Sequence, residues 1–403
     1  MKMLSRKSLV LVALWWLLIL SSCSKHQAQA LEEDDDEVDD DDDRPLLLIS
    51  NPRNIMAYYD DGTVEEFVMG LDNPDHIRIV DNFLYVSVGD TPDTSTLYRQ
   101  NLDTGEEEPF FLKKNGNKAV LHRPYGFDFY NGFIYVASFL TDQVLMYDAV
   151  SGDYLGVFAQ GNGTEEGLVN GPNHIAIFQD KLYLTTQGSV ATNGKFLHLY
   201  DSQIVVFDLK NNDDGAVFAP QPTPLPSSLG FVSLMGIQIH CSNSASQEDD
   251  DSCLVYTSDV AGGLRAFDLP TGELVWETPT SYQPGSTVSG ALSITSSGEI
   301  YIPGFVDHKN ENDGGDGGVV QRFWAEDGHP LPLHHHRHHN LDHHHPGAAL
   351  FVPHNADLVR PMGILALDSS ERKNGGDGDK NKKGGMNSIR GVTDVSISAS
   401  TTG

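Results

Sequence analysis

Two histidines sit in nearly the same local setting, Asn73-Pro74-Asp75-His76-Ile77 and Gly171-Pro172-Asn173-His174-Ile175. Imidazole beside carboxylate or amide oxygen is a donor set for a divalent metal, and neutral imidazole is also a general base. A third stretch of the same build, Arg123-Pro124-Tyr125-Gly126-Phe127, adds a guanidinium that can hold a carboxylate by two parallel hydrogen bonds. Gln187 and Asp259 each follow a short apolar run and could reach the same place. Asp75, His76, Arg123, Tyr125, Asn173, His174, Gln187 and Asp259 are therefore the candidate ligand-binding residues. His76 and His174 are the candidate metal ligands, for calcium or zinc. The plainer alternative is that each histidine caps a strand end or bonds a neighbouring backbone group. Nucleophilic catalysis has less support. No Gly-x-Ser-x-Gly elbow occurs, and no free cysteine stands beside a plausible base.

These residues need elements to position them. The stretch Leu121–Gly171 holds four apolar runs, Gly126–Phe129, Phe133–Ser138, Gln143–Tyr147 and Tyr154–Phe158. Turn residues separate them, Asn131-Gly132, Thr141-Asp142 and Ser151-Gly152. One such four-stranded unit cannot bury both of its faces, so it implies neighbours of the same kind. Units of this build start near Pro74, Pro124, Pro172, Met235 and Ser289, about 50 residues apart, the length of a propeller blade. A sixth start, Arg360-Pro361-Met362-Gly363-Ile364, is followed only by a weak strand at Gly391–Ser398. An orphan hairpin at Ile55–Met69 lacks a first half. The two ends together make a sixth blade, two inner strands from the C-terminal side and two outer ones from the N-terminal side. The fold class is all-β, a six-bladed β-propeller of four-stranded antiparallel blades, the last closed by both termini. In that arrangement each candidate site residue lies at or near one mouth of the central channel.

Composition narrows the partners. The 403 residues carry a formal net charge of -31. That excludes nucleic acid as a favoured partner, because phosphates demand Lys and Arg, and it disfavours anionic lipid. Much of the excess lies in Glu32–Asp43, inside an acidic linker over 31–50 expected to stay solvated. Residues 1–30 read as a targeting segment, with Lys2, Arg6 and Lys7 before the apolar run Leu9–Leu20. Ala28-Gln29-Ala30 suits signal peptidase. Leu20-Ser21-Ser22-Cys23 resembles a bacterial lipobox, which would lipidate Cys23. An uncleaved signal anchor is the third reading. All three place residues 51–399, the propeller, outside the cytosol, secreted or held at the membrane surface, and cleavage would leave no integral span in the mature form. Cys241 and Cys253 flank a polar acidic stretch between two apolar strands, a pattern that predicts a disulfide in an oxidising compartment. Low-complexity insertions fall at 307–318, 329–347 and 371–386. The second includes eight histidines within Leu333–Pro346, and its composition implies no fixed ligand geometry.

The second and third units carry Arg123-Pro124-Tyr125-Gly126-Phe127, Phe133-Ile134-Tyr135-Val136-Ala137 and Val144-Leu145-Met146-Tyr147. A Gly-rich link, Gly161–Gly167, then leads to Gly171-Pro172. This resembles the NHL-repeat propellers, within the six-bladed group that includes gluconolactonase-like and strictosidine-synthase-like proteins. The resemblance implies the propeller fold and two functions. One is a secreted binding or interaction scaffold for a protein or small-molecule ligand. The other is a metal-dependent hydrolase or lyase acting on a small molecule, its ion held in the channel by histidines or by a Glu, Asn and Asp set. The chain offers Asp75, Asn173 and Asp259 toward the second set, and matches neither in full.

Overall fold

The computed structural model describes residues 45–59, 63–118, 120–161, 163, 167–192, 195–198, 200–211, 214–228, 230–242, 252–280, 287–306, 317–331, 350–351 and 362–367. All of them belong to the unit Asp43–Gly403. They form six small antiparallel sheets arranged as the blades of a propeller. The second blade runs Pro124–Tyr130, Phe133–Ser138, Gln143–Asp148 and Tyr154–Gln160, from the axis outward, each strand paired with the next. The first, third and fourth blades follow the same order, with inner strands Ile77–Val80, Pro172–Phe178 and Leu234–Cys241. In the fifth, the short runs Thr287–Ser289 and Ser293–Ile294 both pair with Glu299–Val306. A hairpin, Ser189–Thr192 with Lys195–His198, is inserted between the second and third strands of the third blade.

The sixth blade is closed by both ends of the chain, as the sequence implies, but with a different share of strands. Its inner strand is Ile364–Ala366, and the next three are Leu47–Asn51, Asn54–Tyr58 and Val64–Met69. One strand comes from the C-terminal side and three from the N-terminal side. Most of Leu47–Asn51 falls in the stretch 31–50 that the sequence pattern gives to an acidic linker. Its pairing with Ile364–Ala366 buries all five residues, a gain invisible to local composition. Gly391–Ser398 lies outside the described residues.

The core is a set of six interfaces between blades. Ile134 and Val136 pack toward the first blade, with Leu97 and Phe111, while Tyr135 and Ala137 pack toward the third, with Ile175 and Leu184. Alternate residues of one strand thus serve opposite interfaces, which is why these strands are apolar at nearly every position. At about 25 cal/mol per Å² of apolar area, such two-sided burial outweighs what a single half-buried sheet could supply.

A hydroxyl latch recurs near the axis. The second strand carries Ser87, Thr185, Ser258 or Ser50, and its oxygen accepts the backbone N–H of His76, His174, Gly236 or Gly363 respectively. Thr185 and Ser258 also donate to the next blade, to the carbonyls of Met235 and Gly290. The inner strands of the second, third and fourth blades shift register at this height. In the third and fourth, the hydroxyl there replaces a ladder bond. Cys241 and Cys253 stand directly opposite each other across two strands of the fourth blade and form the expected disulfide.

Candidate functional site

The position that opens each inner strand is filled by His76, Gly126, His174, Gly236, Gly290 and Gly363 around the ring. The glycines are required by crowding. A Cβ on Gly126 would stand 2.4 Å from His174 Cα, on Gly236 2.6 Å from Leu292 N, on Gly290 2.1 Å from Met362 O, and on Gly363 1.7 Å from Asp75 O. The two histidines are the exceptions, and they flank Gly126. The His76 and His174 rings lie 4.9 Å apart between centroids, although their strands belong to blades one and three.

Asp75 joins them. Its Oδ1 is 3.3 Å from His174 Nε2. Both residues are buried, 6% and 2% exposed, and neither atom makes an aligned hydrogen bond. His76 Nδ1 accepts the Phe127 backbone N–H at 3.2 Å, which leaves the ring proton of neutral His76 on Nε2. Burial, with His174 and then Arg78 adding repulsion, holds the His76 imidazole well below the usual histidine range. Tyr125 lies nearby, against Phe139 at 4.9 Å. Burial pushes its phenol far up, against the pull of Arg123, so it stays a neutral donor.

The other candidates are bonded elsewhere. Arg123 pairs with Asp90 at 3.2 Å, not with Asp75, and lies over the rings of Tyr125 and Phe139. Asn173 is buried and donates to Leu234 O of the fourth blade. Gln187 donates to Ser233 Oγ at 2.9 Å and accepts from Ser189 Oγ at 2.8 Å. Asp259 is wholly buried and accepts from Ser233 N, Ala261 N and Arg265 Nη1. The structure therefore brings Asp75, His76 and His174 together and uses Asn173, Gln187 and Asp259 to tie the third and fourth blades. Sequence reasoning missed Arg265 and the latching hydroxyls. The latches had a signal, the repeated Tyr85-Val86-Ser87, Tyr183-Leu184-Thr185 and Tyr256-Thr257-Ser258.

The fold has a solved counterpart. A chain from a nidogen/laminin complex matches with a TM-score of 0.50 at 12% identity, over 80% of this chain and 98% of that one. The likeness is one of fold. No protein-family model matches the chain, and no curated protein does.

A metal ion fits these donors poorly. Phe127 N–H occupies the His76 Nδ1 lone pair, so Asp75 and His174 supply the free donors. Catalytic zinc takes three protein ligands, and calcium six or more oxygens. Among the described residues no group of three or more His, Cys, Asp or Glu is placed to hold an ion.

His76 gives a pH prediction. Its folded value lies below the unfolded one, so the unfolded chain takes a proton first as pH falls. The stability it contributes is complete above about pH 7 and is lost as pH drops through the ordinary histidine value, by up to about 1.4 kcal/mol per pH unit. His76→Asn, which retains an acceptor for Phe127 N–H, should flatten that decline between pH 7.5 and 5.5 in urea titrations. An equally steep decline in the variant would assign the effect to another group.

Proposed function

We propose that the chain is an exported NHL-type propeller that acts as a binding or interaction scaffold, with Asp75, His76, Tyr125 and His174 at the channel mouth as its polar contact. The observation that carries this reading is how the candidate residues are used. Asn173, Gln187 and Asp259 bond to the adjoining blade or to their own, which builds a rigid ring rather than a reactive centre. Propellers support many unrelated functions, so the site decides and the fold does not. The fold likeness to a chain from a nidogen/laminin complex is in keeping with a protein partner. The disulfide supports export. Among the described residues no helix is long and apolar enough to cross a membrane.

The rival reading, a metal-dependent hydrolase or lyase, rests on the unbonded Asp75 Oδ1 and His174 Nε2. Metal analysis of the purified protein lacking residues 329–347 separates the two. The scaffold reading expects calcium and zinc well below one ion per chain. One ion per chain, lost in His174→Ala, would replace it with the enzyme.

A further inference from the structure

The residue before the proline that opens an inner strand has a left-handed φ in three blades, 43° at Asn73, 54° at Arg123 and 62° at Gly171. Asparagine and glycine take up that conformation at little cost. Arginine does not, and residues held this way collect at ligand-binding sites. Arg123 is held from two sides. Its N–H donates to Ser95 Oγ of the first blade at 2.9 Å, and its carbonyl accepts the Phe139 N–H at 3.2 Å.

The side chain held in this way has an unused edge. Nε faces Asp90 Oδ1 at 3.2 Å, and the guanidinium lies over the Tyr125 and Phe139 rings. Nη1 and Nη2 form no hydrogen bond among the described residues, and the side chain is 38% exposed. Arg265, by comparison, bonds through Nε, Nη1 and Nη2 alike. The rings and Asp90 fix the plane of Arg123, so its outer edge is preorganised for a ligand. The charges of Arg123, Asp75 and Asp90 all reach the Tyr125 phenol. The unused edge thus shares a neighbourhood with Asp75 Oδ1 and His174 Nε2, two buried polar atoms that also lack a hydrogen bond.

We propose, resting on the reading of this channel mouth as a contact surface, that Arg123 anchors the singly charged carboxylate of a ligand. Two parallel N–H groups match the two oxygens of a planar carboxylate. A phosphate carries more charge, and Asp75, Asp90 and a chain of net charge -31 repel it more strongly. The carboxylate belongs either to a free small acid or to an acidic side chain of a partner protein.

The test is an NMR titration of the full-length protein at constant ionic strength, read at the Tyr125 ring. Sodium acetate should shift the ring signals saturably, and inorganic phosphate should bind more weakly. A saturable shift with N-acetyl-Gly-Asp-Gly-amide as well assigns the anchor to a partner's acidic side chain. A shift with acetate alone assigns it to a small acid. Arg123→Asn, which suits the φ that Asn73 adopts in the first blade, should keep the urea midpoint and weaken acetate about tenfold or more. Asp90→Asn leaves Arg123 in place, removes a charge that repels the ligand, and should tighten acetate about threefold. Should Arg123→Asn fail to fold, the Asp90→Asn titration decides alone. Unchanged acetate binding in Arg123→Asn, unchanged or weaker binding in Asp90→Asn, or phosphate bound more tightly than acetate would each overturn the proposal. No saturable shift with either carboxylate would overturn it too, and the scaffold reading would then still be decided by metal content.

Discussion

Arg265→Met should destabilise the protein by about 3–5 kcal/mol, because it strands a buried carboxylate. Arg265 and Asp259 are both fully buried in the fourth blade. Arg265 Nη1 donates to Asp259 Oδ2 at 2.8 Å, Nε to Glu277 Oε2 at 3.2 Å, and Nη2 to Thr223 O at 3.3 Å. Without the guanidinium, Asp259 keeps only the backbone N–H groups of Ser233 and Ala261. Ser233 also receives Gln187, and Leu234 beside it receives Asn173, so a shift of this loop reaches the third blade. Adding Asp259→Leu to Arg265→Met should restore much of the loss, since a well-packed apolar pair can replace a buried ion pair at little cost. Urea titration of the single and double variants measures both effects. A single-variant loss below about 1 kcal/mol would mean the carboxylate is solvated or protonated at little cost.

The blades were legible in sequence because their punctuation is chemical. Asp148, Asp208 and Asp268 each accept backbone N–H groups two or three residues ahead, closing the turn before the outer strand. Such turns are local and need no tertiary information. The closing strand was not legible. Gly363 N bonds Ser50 Oγ across 313 residues of chain, and nothing near Leu47 announces that partner. The site was half legible for a related reason. Equivalent positions in successive blades share a height on the axis, so His76 and His174 could be placed together from the repeat alone. Whether a polar side chain there faces a ligand or a backbone carbonyl depends on the neighbouring blade. Asn173 and His174 are adjacent in sequence and equally buried, yet Asn173 Nδ2 is bonded to Leu234 O while His174 Nε2 is not bonded.

Gly126→Ala tests whether that neighbour sets the geometry of the pair. Gly126 has no positive φ, so an added methyl would not strain its own backbone. The cost is wholly one of contact. The new Cβ would lie 2.4 Å from His174 Cα and 2.7 Å from Ile175 N, both backbone atoms that no rotamer change can move aside. The third blade must shift outward or the second must tilt, at an expected cost of about 2–3 kcal/mol, the upper part of the range for overpacking. Because His174 moves with its Cα, its 3.3 Å approach to Asp75 must change, and its imidazole resonances should shift as the urea midpoint falls. Gly363→Ala, with its Cβ 1.7 Å from Asp75 O, should cost still more and disturb the pair from the Asp75 side. A Gly126→Ala protein with unchanged midpoint and unchanged His174 resonances would show that the two blades are not packed tightly enough there to hold the histidine in place.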